Sequence, residues 1–110
     1  MTVEQQAAFR ALADPSRRMI LMHLSDKDMT IGEVASQFHV TRAAIKKHLT
    51  ILERGKLISV RARGRERINR LEPAGLKAVF DWLGYFSQFW DDRLSRLQDA
   101  IDKNQGQNDE

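Results

Sequence analysis

The sequence predicts a mostly α-helical protein with a small antiparallel β-hairpin and a long C-terminal helix. In the first half of the chain, apolar residues recur at helical spacing behind good N-terminal capping residues. An arginine-rich stretch with strand-forming residues surrounds Gly64, and an amphipathic segment then continues from Pro73 to about Lys103. Since no internal repeat or linker interrupts these segments, we expect one domain over residues 1–103 and a polar, disordered tail over 104–110.

The first two helices are predicted on either side of Asp14. Residues 3–13 place Phe9, Leu12 and Ala13 on one stripe, which indicates an amphipathic helix. Asp14 is a favourable N-cap, and Pro15 suits the first position of a helix. The second helix therefore begins after Asp14, and we expect it to be buried through three apolar residues, Ile20, Leu21 and Leu24.

A capping box predicts the third helix. Thr30 and Glu33 stand three residues apart, so each side chain can accept a hydrogen bond from the backbone N–H of the other residue. Val34, Ala35 and Phe38 follow at the spacing of an inward face. We expect a short helix that is buried along this face.

The fourth helix follows a turn through His39 and Val40. Thr41 is a second favourable N-cap, and Val40 and Ile45 have the spacing of a hydrophobic staple, which fixes the direction in which a chain enters a helix. Gly55 is expected to end this helix, because glycine is common just past the last turn.

A β-hairpin is predicted between the fourth helix and the last one. Leu57, Ile58 and Val60 favour a strand, and Gly64 marks a turn between two arginine-rich arms. Pro73 ends the second arm and begins the last helix.

The charge of the chain is unevenly distributed. Its 110 residues carry a net charge of +3, yet residues 41–70 hold ten lysines and arginines against two acids, a net +8. The rest of the chain holds eight bases and thirteen acids, a net −5. A basic block on an otherwise acidic chain favours a polyanionic partner over a merely solvated surface.

Several classes of protein are excluded by simple absences in the sequence. The chain has no cysteine, which excludes disulfides, zinc–thiolate sites and thiol redox sensing. Its N-terminus does not have the pattern of a signal peptide, and it contains no apolar run long enough to span a membrane. We therefore expect a cytoplasmic, nucleoid-associated protein that does not bind a membrane.

Two short helices joined by a turn of three or four residues, with bases on the second, form a helix-turn-helix. The apolar face of the fourth helix, which includes Ile45, Leu49 and Leu52, is expected to attach it to the core. Its basic face can enter the major groove of double-stranded DNA, which is about 12 Å wide. The candidate DNA-binding residues of this helix are Thr41, Arg42, Ala43, Lys46, Lys47 and His48.

These residue types suggest different roles at the DNA. Arginine or lysine at positions 42 and 46 can donate to the acceptors of guanine, and the methyl group of Ala43 can contact that of thymine. The Thr41 hydroxyl and the start of the helix suit a phosphate. Whether Lys46 and Lys47 contact bases or phosphates stays open, and His48 is a candidate phosphate contact.

The hairpin extends the basic surface as a wing, which completes a winged helix-turn-helix. Arginines at positions 61, 63, 65 and 67 alternate along its arms. Such a wing can straddle the DNA backbone or insert an arginine into the minor groove. Phosphate contacts dominate affinity, so we expect the wing arginines Arg63, Arg65 and Arg67 to contact mainly the DNA backbone.

Three segments, ALADPSRRMILMHL, TIGEVASQFHVTRAAIKKHLTILERGKLI and RGRERINRLEP, resemble the ArsR/SmtB family of bacterial winged-helix repressors. The resemblance extends over nearly the whole chain, and the C-terminal segment WLGYFSQFWDDRLSRL is similar to the SdpR-like subgroup. The resemblance implies a homodimer that binds a palindromic operator and represses a promoter, often its own.

The chain departs from the best-known members of that family, which are metal sensors. Thr30 stands at about the position of a metal-binding thiolate, and the C-terminal segment contains no histidine. Without Cys or His partners, its aspartates would form only a weak oxygen site; they are Asp91, Asp92, Asp99 and Asp102. We therefore expect a regulator that does not sense metals and holds no metal ion and no cofactor.

His39 marks a second departure. Helix-turn-helix turns of the family often have glycine at this position, and His is among the residues enriched at positive φ. We expect a positive φ at His39.

The apolar residues of the last helix predict a dimer. A continuous helix from Pro73 to Lys103 would be about 45 Å long, whereas a domain of this size has a radius of gyration of about 13 Å. Its apolar stripe therefore extends beyond what one domain can cover, and a second chain can bury it. The expected interface comprises Phe9, Trp82, Phe86, Phe89, Trp90, Leu94, Leu97 and Ile101. A ligand pocket is the alternative for the aromatic residues.

Two other functions are alternatives to DNA binding. The sequence contains no nucleophile–base set, glycine-rich phosphate loop or metal-ligand cluster, so we do not expect an enzyme. A winged-helix module that binds protein instead of DNA is the closer alternative, because a fold does not fix a function. Such a module would more often expose apolar residues where this chain is basic. Whether a small-molecule inducer exists stays open.

Overall fold

The computed structural model describes residues 2–108, with side chains described for 2–105. Six helices and three short strands follow one another along the chain, and the prediction of a mostly helical fold with a small antiparallel sheet is confirmed. The elements are α1 (Val3–Leu12), α2 (Pro15–Asp26), β1 (Met29–Thr30), α3 (Ile31–Phe38), α4 (Arg42–Arg54), β2 (Ile58–Arg63), β3 (Glu66–Leu71), α5 (Pro73–Gly84) and α6 (Ser87–Asn108).

The chain divides into two compact units, of which the first ends at Val79 and the second begins at Phe80. The expectation of one domain over residues 1–103 stays a prediction beside this division. The first unit contains α1–α4, the sheet and the start of α5. The second contains the end of α5 and all of α6.

The predicted helix starts of the first unit are confirmed. The Asp14 carboxylate accepts hydrogen bonds from the N–H groups of Ser16 and Arg17 at 2.8 and 3.1 Å. Thr30 and Glu33 form the expected capping box, and the Thr41 hydroxyl accepts from the N–H of Ala44. These side chains satisfy N–H groups that the first turn of a helix leaves without backbone partners.

The first unit is built around one hydrophobic core. Its most deeply buried large side chains come from α2, α3, α4 and the chain before β2; they are Ile20, Val34, Ile45, Leu52 and Leu57. In α1 the buried stripe is formed by Ala8 and Ala11, whereas the predicted stripe included Ala13, which is exposed. Small residues on α1 allow it to approach its neighbours closely.

The end of α4 at Gly55 was predicted, but its geometry differs from the expected glycine cap. Gly55 has φ −79°, and the left-handed residue is Lys56, with φ 59°. The N–H of Lys56 donates to the carbonyl of Glu53 and that of Leu57 to Leu52, which is a Schellman arrangement. A Cβ at position 55 would lie 3.0 Å from the carbonyl oxygen of Ala7 in α1, a tight contact that glycine avoids.

The sheet contains one strand more than the predicted hairpin, and its order is β1-β3-β2. Met29 and Thr30 of β1 pair antiparallel with Asn69 and Ile68 of β3. The buried Asn69 amide also donates to the carbonyl of Met29 at 3.1 Å. A strand of two residues is too short to show the alternation by which strands are predicted.

The predicted last helix is broken in the second unit. Tyr85 and Phe86 form a turn in which their N–H groups donate to the carbonyls of Trp82 and Leu83 at 3.1 and 3.0 Å. The Ser87 hydroxyl donates to the carbonyl of Gly84, a further group that the interruption leaves open. The single helix expected over 73–103 is therefore two helices.

The helix α6 also extends beyond its predicted end. It continues to Asn108, so positions 104–108 of the expected disordered tail are helical, while 109 and 110 lie outside the described residues. The segment contains no proline, and one glycine inside a helix costs only about 1 kcal/mol relative to alanine.

Candidate nucleic-acid interface

The helices α3 and α4 are joined by the short turn of a helix-turn-helix. His39 follows the last residue of α3 with φ 54° and ψ 36°, in the left-handed region. This confirms the positive φ predicted for His39. Thr41 then returns to extended backbone and caps α4, so that three residues separate the two helices.

The two faces of α4 are as different in the structure as in the sequence. Ile45, Leu49 and Leu52 are 1%, 6% and 0% exposed, which attaches the helix to the core. On the outer side Arg42, Ala43, Lys46 and Lys47 are exposed. The first two turns of α4 therefore present predicted DNA-binding side chains to solvent, while their neighbours on the helix fix its position.

The predicted basic side chains are largely without acidic partners. Among the described ion pairs, Arg63 of β2 approaches Glu66 at 4.0 Å. The side chains of Arg42, Lys46 and Lys47 take part in none of the described ion pairs or hydrogen bonds, and the same is true of those of Arg65 and Arg67. Their charges are available to an external anion.

The hairpin presents its arginines on two faces. In the register of β2 and β3, Arg61 lies opposite Ile68 and Arg63 opposite Glu66, whereas Arg67 lies opposite Ala62 on the other face. The expectation of one alternating arginine row is therefore too simple. Arg65 lies in the two-residue turn beside Gly64, whose φ of 64° suits the first position of a type II′ turn.

A cleft between α4 and the hairpin brings together four of the nine predicted DNA-binding residues. Its volume is about 430 Å³, and α4 contributes Arg42 and Lys46 while the hairpin contributes Arg65 and Arg67. Ile31, Leu49 and Val60 supply apolar lining, and the remaining lining residues are Thr30, Gly32, Thr50, Glu53, Glu66 and Asn69. The other predicted residues, Thr41, Ala43, Lys47, His48 and Arg63, lie outside the cleft lining.

His48 is held beside α2 through Arg17, a residue that the sequence analysis missed. Nη1 of Arg17 lies 3.4 Å from Nδ1 of His48. The same guanidinium donates to the carbonyls of Ala11 and Arg10 at 2.7 and 3.1 Å, at the end of α1. Because guanidinium nitrogens only donate, a hydrogen bond here requires His48 to accept at Nδ1 and to carry its proton at Nε2.

Asp14 completes this junction of α1, α2 and α4. The pKa of the Asp14 carboxyl is lowered, mainly by the hydrogen bond from the N–H of Arg17. The N–H of Ser16 and the nearby Arg17 guanidinium also lower this pKa, whereas partial burial raises it. A carboxylate that accepts two backbone hydrogen bonds is stabilised in its charged form. Only the capping role of Asp14 was evident from the sequence.

The residues predicted for a dimer interface lie mostly in the second unit. Seven of the eight are there and are 40–61% exposed: Trp82, Phe86, Phe89, Trp90, Leu94, Leu97 and Ile101. Phe9 of α1 is half-buried. Within the second unit the Trp82 and Phe86 rings contact edge-on at 5.2 Å, and the Arg93 guanidinium lies 5.0 Å from the ring centre of Phe89. These contacts join residues close in sequence, and the seven side chains stay 40–61% exposed.

The described residues contain no group of three His, Cys, Asp or Glu side chains placed to hold a metal ion. Over the same part of the chain, none of the helices combines the length and apolar character that crossing a membrane requires.

Comparisons with known proteins identify relatives of the chain. A family described as a helix-turn-helix domain matches residues 12–61. The chain is 35% identical over 95 residues to the HTH-type transcriptional regulator Rv2034 of Mycobacterium tuberculosis, which covers 86% of each chain. It is 34% identical over 86 residues to the transcriptional repressor SdpR of Bacillus subtilis, covering 78% of this chain and 96% of SdpR.

The fold is similar to solved structures. An ArsR-like transcriptional regulator from Rhodococcus sp. RHA1 superposes with a TM-score of 0.69 at 32% identity, over 88% of this chain and 92% of that one. The match therefore includes more than the helix-turn-helix alone.

Proposed function

We infer the function of this protein from one premise: the chain belongs to the ArsR family of helix-turn-helix transcriptional regulators. It is a transcriptional regulator with a helix-turn-helix domain. We propose that it binds double-stranded DNA sequence-specifically, as a homodimer on a palindromic operator. We propose further that it represses the promoter that contains this operator, and that its own promoter is one such target.

One observation carries the proposal of DNA binding. Four basic side chains from two separate elements, Arg42 and Lys46 of α4 and Arg65 and Arg67 of the hairpin, line one cleft without forming ion pairs among the described residues. A helix in the major groove and a wing over the adjacent backbone would bring both sets to the same duplex. The unpaired charges favour release of counterions from DNA phosphates.

We assign roles by position on α4 and the hairpin. Arg42 and Lys46 lie on the first turns of α4 and would read base edges, while the exposed Ala43 would contact a thymine methyl group. The phosphates of the DNA backbone would be contacted by the residues around them. These are Thr41, Lys47 and His48 at α4, and Arg63, Arg65 and Arg67 of the hairpin. This division follows the general rule that phosphate contacts position a protein and base contacts specify its site.

The proposed homodimer rests on the exposed apolar residues of the second unit. Monomeric proteins seldom expose apolar patches of more than a few hundred Å², yet Trp90, Leu94 and Leu97 are all at least 58% exposed. A two-fold axis would bury this face against its copy. Phe9 of α1 is the eighth residue proposed for the interface. It would also present two copies of α4 about 34 Å apart, one turn of DNA.

Repression is proposed from kinship. SdpR is a transcriptional repressor, and the chain covers nearly all of its length. A dimer seated on an operator within a promoter would exclude polymerase without any further activity. A reporter gene whose promoter contains the operator tests this proposal. Expression of the regulator should lower reporter output, and the Arg42→Ala variant should not.

Selection of DNA fragments by the purified chain tests the proposal as a whole. A random double-stranded library should yield an inverted repeat with half-sites about 10 base pairs apart, centre to centre. A matched selection with the Arg42→Ala/Lys46→Ala variant should yield no such motif. Enrichment of a single half-site would contradict the dimer alone, whereas a library that emerges unselected would favour the alternative of a protein-binding winged helix.

A further inference from the structure

The side chain of Arg42 lies close to the start of α3. Its guanidinium lies against Gly32, the second residue of α3. A Cβ built on Gly32 would lie 2.8 Å from Nη2, 3.2 Å from Cζ and 3.6 Å from Nε of Arg42. Three atoms of the planar group are thus in range of one missing methyl group.

The contact with Gly32 uses none of the N–H donors of the Arg42 guanidinium. The side chain of Arg42 takes part in no described hydrogen bond or ion pair. The nearest acid along α3, Glu33, is already engaged by the N–H of Thr30 at 3.1 Å and by Lys27 at 4.0 Å. The N–H donors of Arg42 therefore stay available, while the missing side chain of Gly32 leaves the space beside α3 that the guanidinium occupies.

The geometry points to Gly32 as the residue that positions Arg42 for base recognition and so determines operator specificity. This inference rests on the proposed function, in which Arg42 reads a base. Arginine recognises guanine through a planar fork of donors, so its energy depends on orientation as well as on charge. Restricting the side chain before binding reduces the conformational entropy that the complex would otherwise lose.

The substitution Gly32→Ala separates this role from folding. A Cβ at 2.8 Å from Nη2 is closer than real Cβ contacts, but the neighbour is the far end of a flexible side chain, so Arg42 can move away without disturbing the backbone. Alanine is also the better helix former. We expect the thermal midpoint of Gly32→Ala to equal or exceed that of the parent, while the affinity for the selected operator falls by roughly tenfold.

A double-mutant cycle with Arg42→Ala makes the test specific. If Gly32 acts through Arg42, Gly32→Ala should weaken operator binding in the parent and have no effect in the Arg42→Ala background. Base preference should relax at the same operator position in both single variants. Ser36→Ala is the matched control, because it also raises helix propensity in α3, and it should leave affinity and base preference unchanged.

A measurement without DNA keeps the inference separable from the proposed function. In 15N-labelled protein, the Nε–Hε signal of Arg42 should shift in Gly32→Ala and stay in place in Ser36→Ala. Unchanged operator selectivity in Gly32→Ala, beside a loss in Arg42→Ala, would overturn the role of Gly32 and leave the proposed function intact. A parent protein that selects no sequence would overturn both.

Discussion

The helices α4 and α6 carry similar apolar stripes and differ in what covers them. In α4, Ile45, Leu49 and Leu52 are at most 6% exposed. In α6, Trp90, Leu94 and Leu97 recur at comparable spacing and are 58–61% exposed. Periodicity therefore identifies the apolar face of a helix equally well in both cases. It does not say whether the partner of that face belongs to the same chain.

The opposite faces of these helices differ as well. The outer face of α4 is basic, whereas α6 mixes four aspartates with Arg93, Arg96 and Lys103. A basic outer face suits a polyanion and is of little use to a helix that joins two copies of one chain. The contrast supports a division in which α4 is fixed by its own unit and binds DNA, while α6 binds its copy.

The largest expected effect is that of Trp90→Ala with Leu94→Ala. Removing two large apolar side chains from the centre of the proposed interface should convert the dimer to monomer and weaken operator binding by roughly 100-fold or more. Sedimentation velocity at micromolar concentration and operator titration measure the two effects. Arg96→Ala, an exposed polar change on the same helix, is the control and should leave both unchanged. A parent chain that sediments as a stable monomer yet binds the palindrome tightly would contradict the proposed role of α6.

The next effect is a loss of folding stability, which we expect from a substitution in the apolar stripe of α4 and not from one in that of α6. Leu52→Ala removes a side chain that is 0% exposed, and we expect it to lower the free energy of unfolding by about 2–5 kcal/mol. Leu97→Ala on α6 should lower it by less than about 0.5 kcal/mol when the protein is diluted below dimer dissociation. Urea titrations at two protein concentrations separate these cases. Equal losses in the diluted protein would mean that the chain buries both stripes by itself.

The outer face of α4 should show a smaller effect on recognition. Arg42→Ala and Lys46→Ala should each lose about 1–3 kcal/mol of discrimination between operator and unrelated DNA. Arg65→Ala should weaken binding to the operator and to unrelated DNA alike. It should also lower the slope of log affinity against log salt concentration by about one unit. Arg54→Ala, at the far end of α4, is the control. Operator affinity that survives both Arg42→Ala and Lys46→Ala would show that another surface reads the bases.

Much of the first unit could be predicted from the sequence because its signals are local. Asp14, Thr30 and Thr41 cap the helices they were expected to cap, and His39 has the expected positive φ. Each of these predictions depends on hydrogen bonds or sterics within a few residues. Such interactions are visible in a short window of sequence.

The features that could not be predicted depend on contacts between distant residues or on weak breaks. The two-residue strand β1 exists because Met29 pairs with Asn69, forty positions later. The contact of Arg17 with His48 and the close approach of Arg42 to Gly32 likewise require the tertiary fold. Gly84 was a local signal for the interruption between α5 and α6, but the apolar stripe continued across it and indicated one helix.

The smallest effect is expected from Asp14→Asn and tests whether a charge contributes to the junction that fixes α4. Asparagine is an equally good N-cap, so the substitution keeps the hydrogen bonds to α2 and removes only the negative charge. The N–H of Arg17 is the main cause of the lowered pKa of Asp14, and the Arg17 guanidinium adds to it. The same guanidinium lies beside His48 of α4.

The pH dependence gives this small effect its sign. Because the folded state lowers the pKa of Asp14 below 3.8, the stabilisation by its charge is fully present above that value and is lost as pH falls through the lower, folded pKa. Asp14→Asn should therefore be less stable than the parent by under about 1 kcal/mol at pH 7, a modest figure because the side chain is partly exposed and screened. The gap should close in strongly acidic solution. Urea titrations from neutral pH downward measure it, with Glu66→Gln on the exposed hairpin as the control. A gap that stays constant across this range would mean that shape and hydrogen bonding at Asp14, rather than its charge, hold the junction together.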